Sequence, residues 1–144
     1  VAMKTVKRDL AALIRGHEAL REKKIDEDWG DENLEFESNS LLVSRILGNM
    51  VINALEATDT GGLIKIRVRL TPHAITWTVW NSAMIPQVIQ KRIFLRHFST
   101  KKGAGRGFGT YSMKLFGETY LGGKVSFTSL PDQGTTFRFR LPIS

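Results

Sequence analysis

The amino-acid sequence predicts a two-layer α/β sandwich, with a mixed, mostly antiparallel sheet covered on one face by about three helices. Two patterns predict it. Several segments alternate apolar and polar residues with a period of two, so each has one face for a core and one for water. Three other segments carry apolar residues at helical spacing and supply the cover such a sheet needs. A length of 144 residues with no internal repeat makes this one domain over 1–144.

Taken in order, residues 4–24 are polar with Leu, Ala and Ile at helical spacing, and predict a surface-packed N-terminal helix. Residues 25–32 are acidic and turn-like, with Gly30. Leu34, Glu35, Phe36 and Glu37 alternate and predict a short edge strand. Ser38 or Ser40 can cap the next helix, which runs to about residue 57 and ends in Thr58, Asp59, Thr60, Gly61 and Gly62. Four strands then show the period of two. Ile64, Ile66, Val68 and Leu70 oppose Lys65, Arg67 and Arg69, and Ile75, Trp77 and Val79 continue the pattern after a turn at Pro72. Val125 and Phe127 alternate, as do Phe137, Phe139 and Leu141 against Arg138 and Arg140. Residues 109–120 form the third helix.

Composition narrows the function. There are no cysteines, hence no disulfide framework and no thiolate metal site. No apolar run is long enough to span a membrane, and no signal-peptide pattern opens the chain, so a cytoplasmic location without membrane contact is expected for this segment. The opening at Val1 reads as a piece of a longer protein, whose full-length form could be membrane-anchored. Net charge is +7, and no Asp or Glu occurs from residue 60 to 117, a stretch that holds ten Lys and Arg. Such a field attracts phosphates. Lys65, Arg67 and Arg69 read as a solvated basic face. The cations of residues 91–114 sit among Gly103, Gly105, Gly107 and Gly109, and that setting favours phosphate binding.

Glycines at 105, 107 and 109 let the backbone approach a ligand, and the helix start that follows offers free N–H groups to an anion. The loop is neither a Walker lysine loop nor a dinucleotide fingerprint, since no strand feeds it directly and no Gly-Lys-Ser/Thr follows. On the preceding long helix, Arg45, Asn49, Asn53 and Glu56 recur at intervals of four, four and three and share one face. Amide and carboxylate oxygens are hard ligands suited to Mg²⁺, which keeps most of its waters. No Ser, His and carboxylate set shows triad spacing, so hydrolytic triad chemistry is unsupported.

Together these motifs resemble the ATP-binding catalytic domain of sensor histidine kinases, whose Bergerat fold is shared with type II topoisomerases, mismatch-repair ATPases and heat-shock chaperones. Asn-Met-Val-Ile-Asn-Ala-Leu-Glu-Ala at 49–57 is similar to the family's N box. Ile93-Phe94 through Phe98-Ser99-Thr100-Lys101 resembles its F box, residues 103–110 its second glycine box, and Gly134-Thr135-Thr136-Phe137 with Leu141-Pro142 its closing strand.

The resemblance implies Mg²⁺ on Asn53 with Asn49 beside it as the catalytic pair, and Glu56 in the same nucleotide site. It implies phosphate contacts from Lys101, Gly105, Arg106, Gly107, Phe108, Gly109 and Thr110, under a lid at 95–106. The base would meet Asn81, Ile85 and Thr135. The family's first glycine box departs here. Asn81 stands where the pattern has Asp, both glycines are missing, and the loop is about one residue shorter. An amide oxygen still accepts from an adenine amino group, at a loss of about 1 kcal/mol of charge assistance.

The implied function is transfer of the γ-phosphoryl of Mg·ATP to a histidine on a separate dimerisation domain of the same protein, with a response regulator downstream. His17, His73 and His97 read as surface residues rather than the acceptor, which is expected to precede Val1. An ATP-hydrolysing relative is the second reading, but such relatives usually place a general-base Glu where Asn49 stands. A basic nucleic-acid-binding module is the third. It lacks an aromatic-basic recognition motif, so no nucleic-acid partner is expected.

Overall fold

The structure, a computed structural model, describes residues 1–95 and 109–143. Strands β1 (Lys24–Asp28), β2 (Leu63–Leu70), β3 (Ala74–Asn81), β4 (Lys124–Leu130) and β5 (Gly134–Pro142) form one sheet in the order β1-β2-β3-β5-β4. Only β1 and β2 run parallel; the other neighbours are antiparallel. The helices are α1 (Met3–Ile14), α2 (Ser40–Glu56), a short α3 (Gln87–Gln90) and α4 (Gly109–Lys114), which widens into a π-helical turn over Leu115–Tyr120.

The period of two places the core as expected. Ile64 and Ile66 on β2, Ile75, Trp77 and Val79 on β3, Phe137, Phe139 and Leu141 on β5, and Val125 on β4 are all buried. Trp77 stacks on Phe139 with centroids 5.5 Å apart, and Phe36 meets Trp77 at 5.9 Å. Such offset pairs add about 0.5–1.5 kcal/mol beyond the area they bury. The inward row of β2 weakens along its length: Val68 is half-buried and Leu70 is exposed. The opposite face carries the cations. There Lys65 lies over the Trp80 ring at 4.9 Å, and Arg67 pairs with Asp26 at 2.8 Å.

Helix α2 is the centre of the helical layer. Val43, Ile46, Leu47, Met50, Val51, Ala54 and Leu55 are buried, between the sheet on one side and Met3, Val6, Leu10 and Ile14 of α1 on the other. Its N-cap is Asn39, neither Ser38 nor Ser40: the Asn39 side chain accepts from the Leu42 N–H at 3.1 Å. Ser40 is the first helical residue.

Three expectations are corrected. The N-terminal helix ends at Ile14, because Gly16 takes φ +75° and turns the chain into a 3₁₀ turn at Glu18–Leu20. The acidic stretch after it forms β1, which has a single half-buried apolar residue, Ile25. Its order comes from parallel pairing to β2 and from Arg67, whose guanidinium donates to the Asp26 carbonyl and carboxylate. Residues 34–37 are not a strand. They make one isolated bridge, Ala2 with Glu35, while Phe36 is buried against Trp77. Among the described residues the sheet therefore has five strands, with an acidic edge in place of the expected one.

Candidate functional site

The inward rows of the sheet change character at one end. On β3 the row Ile75, Trp77, Val79 finishes in Asn81, on β5 the row Leu141, Phe139, Phe137 finishes in Thr135, and on β4 the row from Val125 and Phe127 reaches Ser129. Register sets Asn81 opposite Thr135 and Thr135 opposite Ser129, so three buried polar side chains cross three adjacent strands. Alternation alone carries these groups inward.

The row is wired in one direction. The Thr135 hydroxyl donates to the Ala83 carbonyl at 2.7 Å. Having one proton, it must accept from Ser129 in their shared 2.7 Å bond. The Ser129 oxygen in turn accepts from the Ile85 N–H at 2.7 Å. Two strand hydroxyls thus clamp both sides of the loop after β3. Gly134 sits beneath it with φ +80°, where a Cβ would run into the carbonyl oxygen of Asn81. Trp80, facing the other way, donates to the Gln133 carbonyl at 2.8 Å and fastens the same turn.

Facing this row across a cavity of about 260 Å³ is the C-terminal half of α2. The described walls include Asn53 and Glu56 from α2, Asn81 and Thr135 from the sheet, and Met84, Ile85, Ile89 and Ile93 around the mouth. The volume is near the lower end of small-molecule sites, about 300 Å³, and the lining has the usual mix of apolar wall and a few convergent polar groups. Among the described residues two buried donors have no hydrogen-bond partner, Trp77 Nε1 and the amide nitrogen of Asn81, and Asn81, 3% exposed, is the one that lines the cavity. A buried unpaired donor costs roughly 1–3 kcal/mol. A larger depression, about 700 Å³, lies at the other end of the sheet between residues 35–37 and Pro142, with the carboxylates Glu35 and Glu37 in its lining.

The expected site residues divide three ways. Asn53, Glu56, Asn81, Ile85 and Thr135 line one cavity. Asn49, one turn before Asn53, does not line it; its amide nitrogen donates to the Gly109 carbonyl at 3.2 Å and ties α2 to the start of α4. Thr110 is buried at that same start, its hydroxyl donating to the Ile93 carbonyl. Lys101, Gly105, Arg106, Gly107, Phe108, the expected lid up to residue 106 and His97 lie outside the described residues. Of the remaining polar stripe, Arg45 turns away to stand over Phe116 at 5.7 Å.

Sequence reasoning missed Ser129, Ile89 and Phe137 as parts of the site. Ser129 had a usable signal: it continues the inward spacing of Val125 and Phe127, and a serine there needs a partner. Phe94 is anchored by Phe127 and Phe137 at 5.7 and 6.3 Å, which positions the chain where it leaves the cavity mouth.

Among the described residues no group of three or more His, Cys, Asp or Glu could hold a metal, and no helix is long and apolar enough to cross a membrane. The oxygens of Asn53 and Glu56 do fit Mg²⁺, which takes one or two protein ligands and completes its shell with water and phosphate oxygens.

Comparison with known proteins agrees with this geometry. The catalytic domain of histidine kinase ThkA in a nucleotide-free form superposes with a TM-score of 0.79 at 28% identity, covering 99% of this chain and 93% of that one. Mycobacterial sensor histidine kinase MprB shares the fold, with a TM-score of 0.75 at 20% identity over 99% of this chain and 97% of that one. The heme sensor protein HssS of Staphylococcus aureus is 32% identical over 114 residues, 77% of this chain. This chain spans only 24% of the length of that relative. The model of the histidine kinase-, DNA gyrase B- and HSP90-like ATPases matches residues 38–144, the span that carries α2, the cavity and four of the five strands. With its cavity between an asparagine-bearing helix and the polar end of the sheet, this chain belongs to the histidine kinase-, DNA gyrase B- and HSP90-like ATPase family, a family of ATP-binding domains.

Proposed function

We propose that this chain is the ATP-binding catalytic domain of a two-component sensor histidine kinase and works on Mg·ATP. The observation that carries the reading is the pairing across one cavity of Asn53 and Glu56 with Asn81 and Thr135. The sheet end would receive the base, and Ile85, Met84 and Ile93 would cover its apolar faces. Asn53 would hold Mg²⁺ with help from Glu56, while Asn49 braces the first turn of α4 for the phosphates. Gly109 and Thr110 begin that turn. Lys101, Gly105, Arg106, Gly107 and Phe108 would complete the phosphate contacts. When bound, Mg²⁺ would neutralise charge on the phosphate oxygens; the chain's own residues position the γ-phosphoryl towards an acceptor.

Transfer fits the site better than hydrolysis. Asn49 has no basic group with which to activate water, and its amide nitrogen is engaged with Gly109. The acceptor would be a histidine on a dimerisation domain of the parent protein, and the phosphoryl group would pass to a response regulator. A cytoplasmic setting follows from that role.

Titration calorimetry with ATP, with and without Mg²⁺, tests the reading. Binding should be Mg²⁺-dependent, and Asn53→Ala should remove most of that dependence. No heat and no thermal shift at millimolar ATP would refute it.

A further inference from the structure

We infer that the cavity accepts 6-oxo purine nucleotides as well as 6-amino ones, with Asn81 reading both; this rests on the nucleotide reading of the site. Asn81 closes the inward row of β3 and lines the cavity at 3% exposure. Its amide nitrogen is buried and unpartnered. Neither hydroxyl of the row accepts from it: Thr135 and Ser129 bond to each other and to the loop after β3, and among the described residues the Asn81 nitrogen has no partner. The main chain around Asn81 is held by strand pairing to Ile64 and Thr135 and by close packing of Gly134, so the side chain reaches the cavity from a fixed root. What remains free is the orientation of a terminal amide, whose torsion has two nearly equivalent states.

A carboxylate at this position would only accept. A primary amide has one acceptor and one donor end. Adenine presents an amino donor at position 6 beside the N1 acceptor, and the amide matches it with oxygen to the amino group and nitrogen to N1. Guanine and hypoxanthine present an oxygen at position 6 beside an N1–H donor, and the same amide matches them after a half-turn. Either way the orphan nitrogen gains an acceptor. Guanine adds a 2-amino group, which needs space beside position 2; hypoxanthine does not. ITP therefore isolates the position-6 reading, and GTP tests the space.

The experiment is titration of the chain with ATP, ITP and GTP in Mg²⁺, for the wild type and for Asn81→Asp. In the wild type, ATP and ITP should bind within about tenfold of each other. In Asn81→Asp the ratio should widen at least tenfold in favour of ATP, because a carboxylate faces the oxygen at position 6. Wild-type binding of ATP with ITP and GTP both more than a hundredfold weaker would overturn this inference and leave the ATP site standing. An ATP-to-ITP ratio unchanged in a folded Asn81→Asp protein would overturn it as well. Absence of binding by all three would overturn the nucleotide reading itself, and this inference with it.

Discussion

The hydroxyl relay from the Ile85 N–H through Ser129 and Thr135 to the Ala83 carbonyl makes a quantitative claim. Thr135→Val keeps shape and burial but deletes two hydrogen bonds, leaving the Ser129 proton and the Ala83 carbonyl unpaired. At about 0.5–1.5 kcal/mol for each, the loss is about 2 kcal/mol. For a domain of this size that lowers Tm by roughly 4–8 °C. Ser129→Ala also deletes two, the bond from the Ile85 N–H and the bond to Thr135. The Ser129–Thr135 bond is common to both, so the double variant should cost about 1 kcal/mol less than the sum. Urea unfolding followed by tryptophan fluorescence measures it, since Trp77 is fully buried beside this row. ATP affinity should fall alongside stability, because the clamped loop supplies Ala83, Met84 and Ile85 to the cavity. Additivity within about 0.3 kcal/mol would refute the relay, as would a Thr135→Ser protein no more stable than Thr135→Val.

Three further outcomes follow from single features. Gly134→Ala should destabilise by about 2–4 kcal/mol, since it combines a left-handed φ with a clash at the Asn81 carbonyl; urea midpoints check it. Asn39→Ala should cost about 1 kcal/mol through the lost cap of α2, while Ser38→Ala leaves the urea midpoint unmoved. Incubated with radiolabelled Mg·ATP, the chain should stay unlabelled on His17, whose Nδ1 is already accepting from the Ala19 N–H at 3.0 Å; acid-labile label there would overturn the placing of the acceptor on another domain.

The fold was legible wherever a side-chain pattern alone decides structure. Strands β2 to β5 each present an apolar row to a helical layer, and burial follows the period of two almost residue by residue. The errors fell where pairing or capping overrides pattern. Lys-Ile-Asp-Glu-Asp at 24–28 has no apolar face, so nothing local marks it as a strand; a neighbouring backbone and one arginine make it one. Residues 34–37 show the reverse. Phe36 does point into the core, but among the described residues the backbone bridged to Glu35 is Ala2, and α1 begins at the next residue, so the bridge does not extend into a strand.

The site divides along the same line. Asn53 and Glu56 could be named early from helix phase, and Asn81 and Thr135 from the family resemblance; the strand alternation that aims those two inward is seen in the fold. Ser129 carries the same inward spacing, but its bonds, like the role of the Ala83 carbonyl, exist only once β4 lies against β5 and the loop after β3 folds over it. A polar residue on an inward strand position must find a partner or a ligand. Ser129 and Thr135 found partners, and their bonds shape the cavity. The amide nitrogen of Asn81 found none, although it sits in the same row and is as deeply buried. Of the two buried donors without a partner among the described residues, Trp77 Nε1 and the Asn81 amide, the second belongs to a residue that lines the cavity, and it marks where the chain leaves its hydrogen bonding to be completed by whatever enters.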